Sequence, residues 1–209
     1  MSPVEELARL GVATVHEAQS RTGLVDLPLL QVVPGSRAAG PARTALCGNG
    51  DNLMVHAAVA HARAGDVLVL TMPEPTPVAL VGELLATQAL DQGVAALLVD
   101  GAVRDLDELR ELGLPIWARW VRARGATKEH VGELDVPVVV GGAQIGPGDV
   151  VVLDTDGAVV VDARRVTEVL SAALEREARE AALRTRYAAG ERSYDVNDLR
   201  RLVEGERGA

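Results

Sequence analysis

The chain has 209 residues, 48% hydrophobic but only 2% aromatic and without a single Phe, so a sizeable core must be built from Val, Leu, Ile and Ala. A formal charge of −9 argues against a binder of the nucleic-acid backbone, and the shortage of rings argues against modules that stack bases. The one cysteine, Cys47, rules out an intramolecular disulfide framework and a multi-Cys zinc site. The first residues carry Glu5 and Glu6 where a secretory leader has a basic stretch, and no apolar run is long enough to cross a bilayer. The expectation is a soluble, cytoplasmic protein without a membrane or nucleic-acid partner.

Apolar runs recur at residues 29–33, 44–47, 67–71, 94–99, 115–120, 136–140, 150–153 and 158–161, each of strand character. Helical patterns sit between the early ones. Asp51 suits the N-cap of a helix over about 52–63 that stops before Gly65. A second helix runs to Asp91 and stops at Gly93; its start is either Thr76-Pro77 or Gly82. A third, short helix follows Asp105. This β-α-β-α-β alternation up to residue 120 implies parallel pairing, and the later strands with Gly/Pro turns read as hairpins, so the sheet is mixed.

The character changes near Asp162. Residues 163–209 carry no strand signal and read as a long Arg/Glu/Ala helix, a break at Gly190 and a short helix near 195–203. This tail holds 10 arginines and 9 acidic residues, against 11 basic and 21 acidic residues in 1–162. An arm packing on a neighbouring subunit and a solvated helix held by i,i+4 Glu/Arg pairs both satisfy that composition.

Several catalytic schemes are poorly served. His16, His56, His61 and His130 lack metal-ligand spacing, and His56 and His61, five apart, do not share a helix face. No serine lies in a GxSxG elbow. Gly48–Asp51 reads as a strand-to-helix turn. Lys128, the single lysine among 21 basic residues, sits in a polar stretch that offers no desolvation for Schiff-base chemistry. The sharpest constellation is two loops after core strands, one opening the helix GELLAT (82–87), the other DGAVRD (100–105). Ligands of parallel α/β sheets bind beyond strand carboxyl ends, where helix N-termini present N–H groups to anions. Arg104 beside Asp105 joins a carboxylate-binding guanidinium to a hard oxygen ligand. The alternative is that Asp105 and Glu108 form a capping box and Arg104 is a surface residue.

Read together and in order, VATVHEA (12–18), GDNLMVHAA (50–58), GDVLV (65–69), GELLAT (82–87), GVAALLVDGAVRD (93–105), VPVVVGG (136–142) and PGDVVVLDTDGAVVV (147–161) resemble the RraA-like group. Within it the chain is most similar to the divalent-metal-dependent (class II) pyruvate aldolases acting on 4-hydroxy-4-methyl-2-oxoglutarate or 4-carboxy-4-hydroxy-2-oxoadipate. The resemblance implies an α/β domain of layered, swivelling β/β/α type with a mixed sheet (1–162) and a C-terminal helical arm (163–209). It also implies a homotrimer or homohexamer with pyruvate bound at subunit interfaces.

By motif, Asp105 is the implied protein ligand to Mg²⁺ or Mn²⁺, and Arg104 holds the pyruvyl oxygens and stabilises the enolate. Gly82, Glu83, Leu84 and Leu85 form the substrate cradle, with the amides of Leu84 and Leu85 on the carboxylate and Glu83 beside ordered water. That places the start of the second helix at Gly82. The arm contributes an acid to the adjacent site, Glu180 or Glu177. Oxaloacetate decarboxylation accompanies the aldol cleavage, and the alternative function is a non-catalytic RraA-type regulator that binds a ribonuclease. Two segments depart from the aldolase pattern: SYDVNDLR (193–200) replaces an aromatic- and Met-containing stretch, and TPVALV (76–81) lacks a Tyr.

Overall fold

In the computed structural model, which describes residues 1–205, the chain opens with α1 (Pro3–Leu10), α2 (Val12–Ala18), β1 (Leu30–Gln31) and β2 (Ala38–Leu46). It continues through α3 (Leu53–Ala60), β3 (Val67–Thr71), β4 (Ala79–Val81), α4 (Glu83–Asp91), β5 (Ala96–Val103), α5 (Leu106–Leu112) and β6 (Ile116–Val121). Next come β7 (Glu133–Leu134), β8 (Val138–Val140), β9 (Ala143–Ile145), β10 (Val150–Asp154) and β11 (Gly157–Val161). After a 3-10 turn, α6 (Val166–Ala188), α7 (Ser193–Val196) and α8 (Leu199–Glu204) close the described chain. Two units separate on internal contacts, Met1–Ala173 and the residues from Leu174 onward.

The first unit is a mixed α/β domain around a nine-stranded sheet with main order β1-β6-β5-β3-β2-β10-β11. Its centre is parallel, β2 with β3, β3 with β5 and β5 with β6, as the β-α-β alternation predicts. The later strands pair antiparallel, β8 with β9 in a separate ribbon and β10 with β11 at the sheet edge.

Side-chain alternation along each strand divides the core. Leu68 and Leu70 of β3, Leu97 and Val99 of β5, and Ile116 and Ala118 of β6 face α3, α4 and α5. The intervening Val67, Val69, Ala96, Leu98 and Trp117 face the β8–β9 ribbon, where Val138, Val140 and Ile145 cover them. The result is a layering of ribbon, sheet and helices. Trp117, the one ring in this apolar set, satisfies its indole N–H on the carbonyl of Asp154 at 2.8 Å. A third cluster joins α1, α2 and the first turns of α6 to the outer face of β10 and β11 through Leu7, Val12, Val15, Val152, Val159 and Val169.

Two local expectations are corrected and one open choice is settled. The helix after Asp51 ends at Ala60, short of Gly65, and Asn52 is its cap position. Of the two starts offered for the second helix, Gly82 is the one realised: β4 follows Thr76-Pro77, and α4 starts behind Gly82. The terminal short helix is two helices, α7 and α8, divided by Asp198, whose backbone is left-handed at φ +55°. In the second unit none of the described residues is buried. Arg186 pairs with Glu191 and Arg200 with Asp195 and Glu204, while Leu202 and Val203 stay exposed. Among the described residues no helix is long and apolar enough to cross a membrane.

Leu98, fully buried between sheet and ribbon, tests the layering. Leu98→Ala is expected to cost about 2–5 kcal/mol of unfolding free energy, read from urea denaturation, because neighbours on both sides leave the cavity unfilled.

Candidate active site

The site is assembled at the carboxyl ends of β4 and β5. The register of β5 against β6 shifts between Val99 and Ala102, and beyond that irregularity β4 joins the other edge, with Ala79 opposite Ala102 and Val81 opposite Val103. Gly101 lies in the irregular stretch because a Cβ there would come within 2.9 Å of Leu80 on β4. Asp100, also in that stretch, is buried and accepts from Arg119 at 3.0 Å and Thr71 at 3.3 Å, which neutralises it.

The pairing runs one residue past each strand. The Arg104 amide donates to the Val81 carbonyl at 3.0 Å, so Arg104 and Asp105 stand beside Gly82 and the N-terminus of α4. Asp105 occupies the cap position of α5, yet its side chain makes no capping bond to that helix. The capping-box alternative for Asp105 and Glu108 is therefore not realised. Its backbone is left-handed, φ +59°, ψ +50°, and its Oδ2 accepts instead from the amide of Glu83, the first residue of α4, at 3.1 Å. Arg104 Nε lies 3.6 Å from the same oxygen, and both side chains are nearly half exposed. Gly82 has an extended backbone open to any residue, but a Cβ on it would meet Asp105 Oδ2 at 2.5 Å and Arg104 Nε at 3.0 Å. The next two amides of α4, Leu84 and Leu85, have no carbonyl within their own helix to donate to.

These groups border a cavity of about 300 Å³ whose lining includes Gly82, Leu84, Leu85, Arg104 and Asp105. Glu83 contributes its amide, while its carboxylate turns along the helix to accept from Thr87 at 3.0 Å. Glu180 lies in the second unit, on α6, between Arg176 and Arg184 at 3.0 and 3.1 Å.

Asn52, His56, Gln88 and Lys128 also line the cavity, and the sequence reading missed all four as site residues. Asn52, at the cap position of α3, and His56 on that helix are four apart and so share a face, a spacing visible in the sequence. The Asn52 amide nitrogen donates to the Leu80 carbonyl at 2.9 Å, whereas its Oδ1 and His56 Nε2 are buried without a hydrogen-bond partner. Burial first, and the Lys128 charge second, push the His56 pKa down from its ordinary value, which favours the neutral ring. Lys128 is exposed, as its polar surroundings suggested.

What carries Lys128 to the cavity is Asp51. Its Oδ1, from one residue ahead of the cap position, accepts from the Leu53 amide at 2.8 Å, and its Oδ2 accepts from Thr127 Oγ1, the Glu129 amide and the His130 amide at 2.7, 2.6 and 3.2 Å. Burial opposes ionisation of this carboxyl; the four hydrogen bonds outweigh it and hold the group well below the ordinary carboxylate range. Nearby Cys47 is inert: burial, with Asp51 adding to it, pushes its thiol up to about 12.

The chain matches the RraA-like family, described as Aldolase/RraA, over residues 12–160. It belongs to that family. A relative from Halalkalibacterium halodurans, provisionally named a 4-hydroxy-4-methyl-2-oxoglutarate aldolase, is 36% identical over 139 residues, which is 66% of either chain. The RraAS2 protein of Streptomyces coelicolor, described as an unusual member of the RNase ES inhibitor RraA family, is 31% identical with a TM-score of 0.76. That match covers 87% of this chain and 95% of the other. The RNA-processing inhibitor RraA from Thermus thermophilis is 34% identical with a TM-score of 0.60, covering 64% of this chain and 80% of the other. The RraA-like relatives thus carry both an enzyme name and inhibitor names, and the architecture is the RraA fold.

Because the folded-state pKa of Asp51 lies below its ordinary value of 3.8, its contribution to stability is complete above about pH 4 and is lost as the pH falls through the folded value. Asp51→Asn, which turns an amide N–H₂ toward backbone donors, is expected to cost about 3 kcal/mol at pH 7. Urea melts at pH 7 and below pH 4 check this: the gap between variant and parent should narrow in acid.

Proposed function

We propose that this RraA-like protein is a divalent-metal-dependent pyruvate aldolase. It cleaves 4-hydroxy-4-methyl-2-oxoglutarate or 4-carboxy-4-hydroxy-2-oxoadipate to pyruvate and a second 2-oxo acid, and it decarboxylates oxaloacetate. The observation that carries the reading is the left-handed turn at Asp105, which takes the carboxylate off its own helix and puts it beside Arg104 at the mouth of the cavity.

The residues fit an ion that keeps most of its water. Asp105 Oδ2 is engaged by the Glu83 amide, whereas no described group donates to Oδ1 of this nearly half-exposed side chain. Among the described residues no group of three or more His, Cys, Asp or Glu could enclose a metal, so Asp105 would hold the ion as a single carboxylate, the habit of Mg²⁺ and also open to Mn²⁺. When bound, the ion supplies Lewis acidity at the 2-oxo group.

The chain's own groups do the rest. The amides of Leu84 and Leu85 and the positive end of α4 receive the pyruvyl carboxylate. Arg104 donates to the pyruvyl oxygens and stabilises the charge that develops on the 2-oxo oxygen as the C3–C4 bond breaks and the C4 hydroxyl loses its proton. Loss of CO₂ from oxaloacetate delivers electrons to the same oxygen, so one arrangement serves both reactions. Lys128 lines the cavity but is exposed to solvent, so it is not suited to iminium chemistry.

The reading includes a homo-oligomer, trimer or hexamer, in which the arm, with Glu180, docks on a neighbouring subunit; the exposed Leu84, Leu202 and Val203 support such cover.

A lactate-dehydrogenase-coupled pyruvate assay on oxaloacetate and 4-hydroxy-4-methyl-2-oxoglutarate tests the proposal. Activity is expected to vanish in EDTA and return with Mg²⁺ or Mn²⁺. Arg104→Ala and Asp105→Ala are each expected to lose about 10²–10³-fold in kcat/KM. Full activity in chelator, or in Asp105→Ala, overturns the reading, and capture of a ribonuclease without any turnover would favour the inhibitor function of the RraA relatives.

A further inference from the structure

Arg104 is long, nearly half exposed and joined to Asp105 only at 3.6 Å, so ion pairing alone does not fix its rotamer. What leaves room for the rotamer it takes is the absence of two β-carbons. On one side stands Gly82, where a Cβ would lie 3.0 Å from Arg104 Nε and 3.2 Å from its Cγ. On the other stands Gly125. A Cβ there would lie 2.8 Å from Arg104 Nη1 and 3.9 Å from its Cζ, and no other described atom outside its chain neighbours comes within 4 Å.

Nothing in the backbone asks for glycine at 125, since its φ lies outside the left-handed region that residues such as Gly113 and Gly141 occupy. Nor can the segment retreat. The Ala79 amide donates to the Arg124 carbonyl at 2.8 Å, and the Thr127 amide donates to the Gly50 carbonyl at 3.0 Å. Arg104 is likewise held at its own amide by Val81. A side chain at 125 therefore meets one obstacle, and that obstacle is the guanidinium.

We infer that Gly125 is a positioning residue: with Gly82 it leaves a slot, one β-carbon wide on each side, that admits the Arg104 guanidinium to its place at the cavity. The functional consequence rests on the aldolase reading above; the positional claim does not. Because the clash falls on the far end of a flexible side chain, Gly125→Ala should fold normally and displace Arg104 instead of straining the backbone. A displacement on the order of 1 Å at a group that stabilises developing charge costs up to about 10²-fold in rate.

The test has two readouts on the full-length chain. Crystal structures of the parent and Gly125→Ala are expected to show the guanidinium moved out of the slot with the 124–127 backbone unchanged. In the coupled assay on oxaloacetate with Mg²⁺, Gly125→Ala is expected to lose about 10–100-fold in kcat/KM, mostly in kcat, with an unchanged melting temperature. In an Arg104→Lys background, which lacks Nη1, the same change should add less than about twofold. An unmoved guanidinium, or an equal loss in both backgrounds, overturns the inference. If the parent turns over neither oxaloacetate nor the 4-hydroxy acid, the aldolase reading fails, and the crystal structures still decide the position of Arg104.

Discussion

The pairing of β4 with the far end of β5 is the constraint on which the candidate site depends. β5 is a strand buried along its whole length, so its inner residues are committed to β3 and β6 by apolar packing on both faces. Only past the irregularity at Asp100 and Gly101 does an edge come free, and β4 takes it. Three residues of β4 then bring Gly82 and the first turn of α4 against the two residues that follow β5. A rigid sheet edge thus sets the spacing of Arg104, Asp105 and the α4 amides, with no need for a long flexible loop.

The rest of the cavity is bound to this edge by Asp51. Its carboxylate collects donors from the start of α3 and from residues 127–130, so the α3 face with Asn52 and His56 and the segment with Lys128 are fixed by one buried anion. Four donors make the charge tolerable where desolvation alone would not. The electrostatics of the cavity follow from this arrangement. Residues 1–162 are strongly acidic and their summed field opposes a polycarboxylate, so attraction has to be local. Under the proposed aldolase function that attraction would come from Arg104, Lys128 and the positive end of α4, all at the cavity.

Much of the architecture was legible because it rests on local chemistry. Alternation of Val and Leu with period two marked the strands, and the helix-breaking Gly93 marked the end of α4; a β-α-β order leaves parallel pairing as the natural solution. β4 escaped because three residues carry too little periodicity to register, and its strand character comes from β5 alone. The true end of α3 escaped because residues 61–64 are compatible with helix and tertiary packing decides. Within the site, Arg104, Asp105, Gly82, Leu84 and Leu85 stood out as two loops behind strands, and they line one cavity. Asn52, His56 and Lys128 did not, since a residue that meets the site from a distant part of the chain leaves no mark in its own neighbourhood, and Gln88, one turn along α4 from Leu84, reads there as an ordinary polar helix residue.

By itself, the sequence determined the layer type, the parallel centre, the hairpin edges and the two loops that carry charge, because each follows from the periodicity and turn chemistry of a few neighbouring residues. Only the tertiary structure decided what those loops do. Asp105 and Glu108 have the spacing of a capping box, and nothing local distinguishes that outcome from the one realised. The choice is made by Gly82, twenty-three residues earlier in the chain, whose bare α-carbon leaves the room into which the Asp105 carboxylate turns and whose neighbour Glu83 offers the amide that holds it. A contact of that kind is a property of two surfaces brought together, and neither segment encodes it alone.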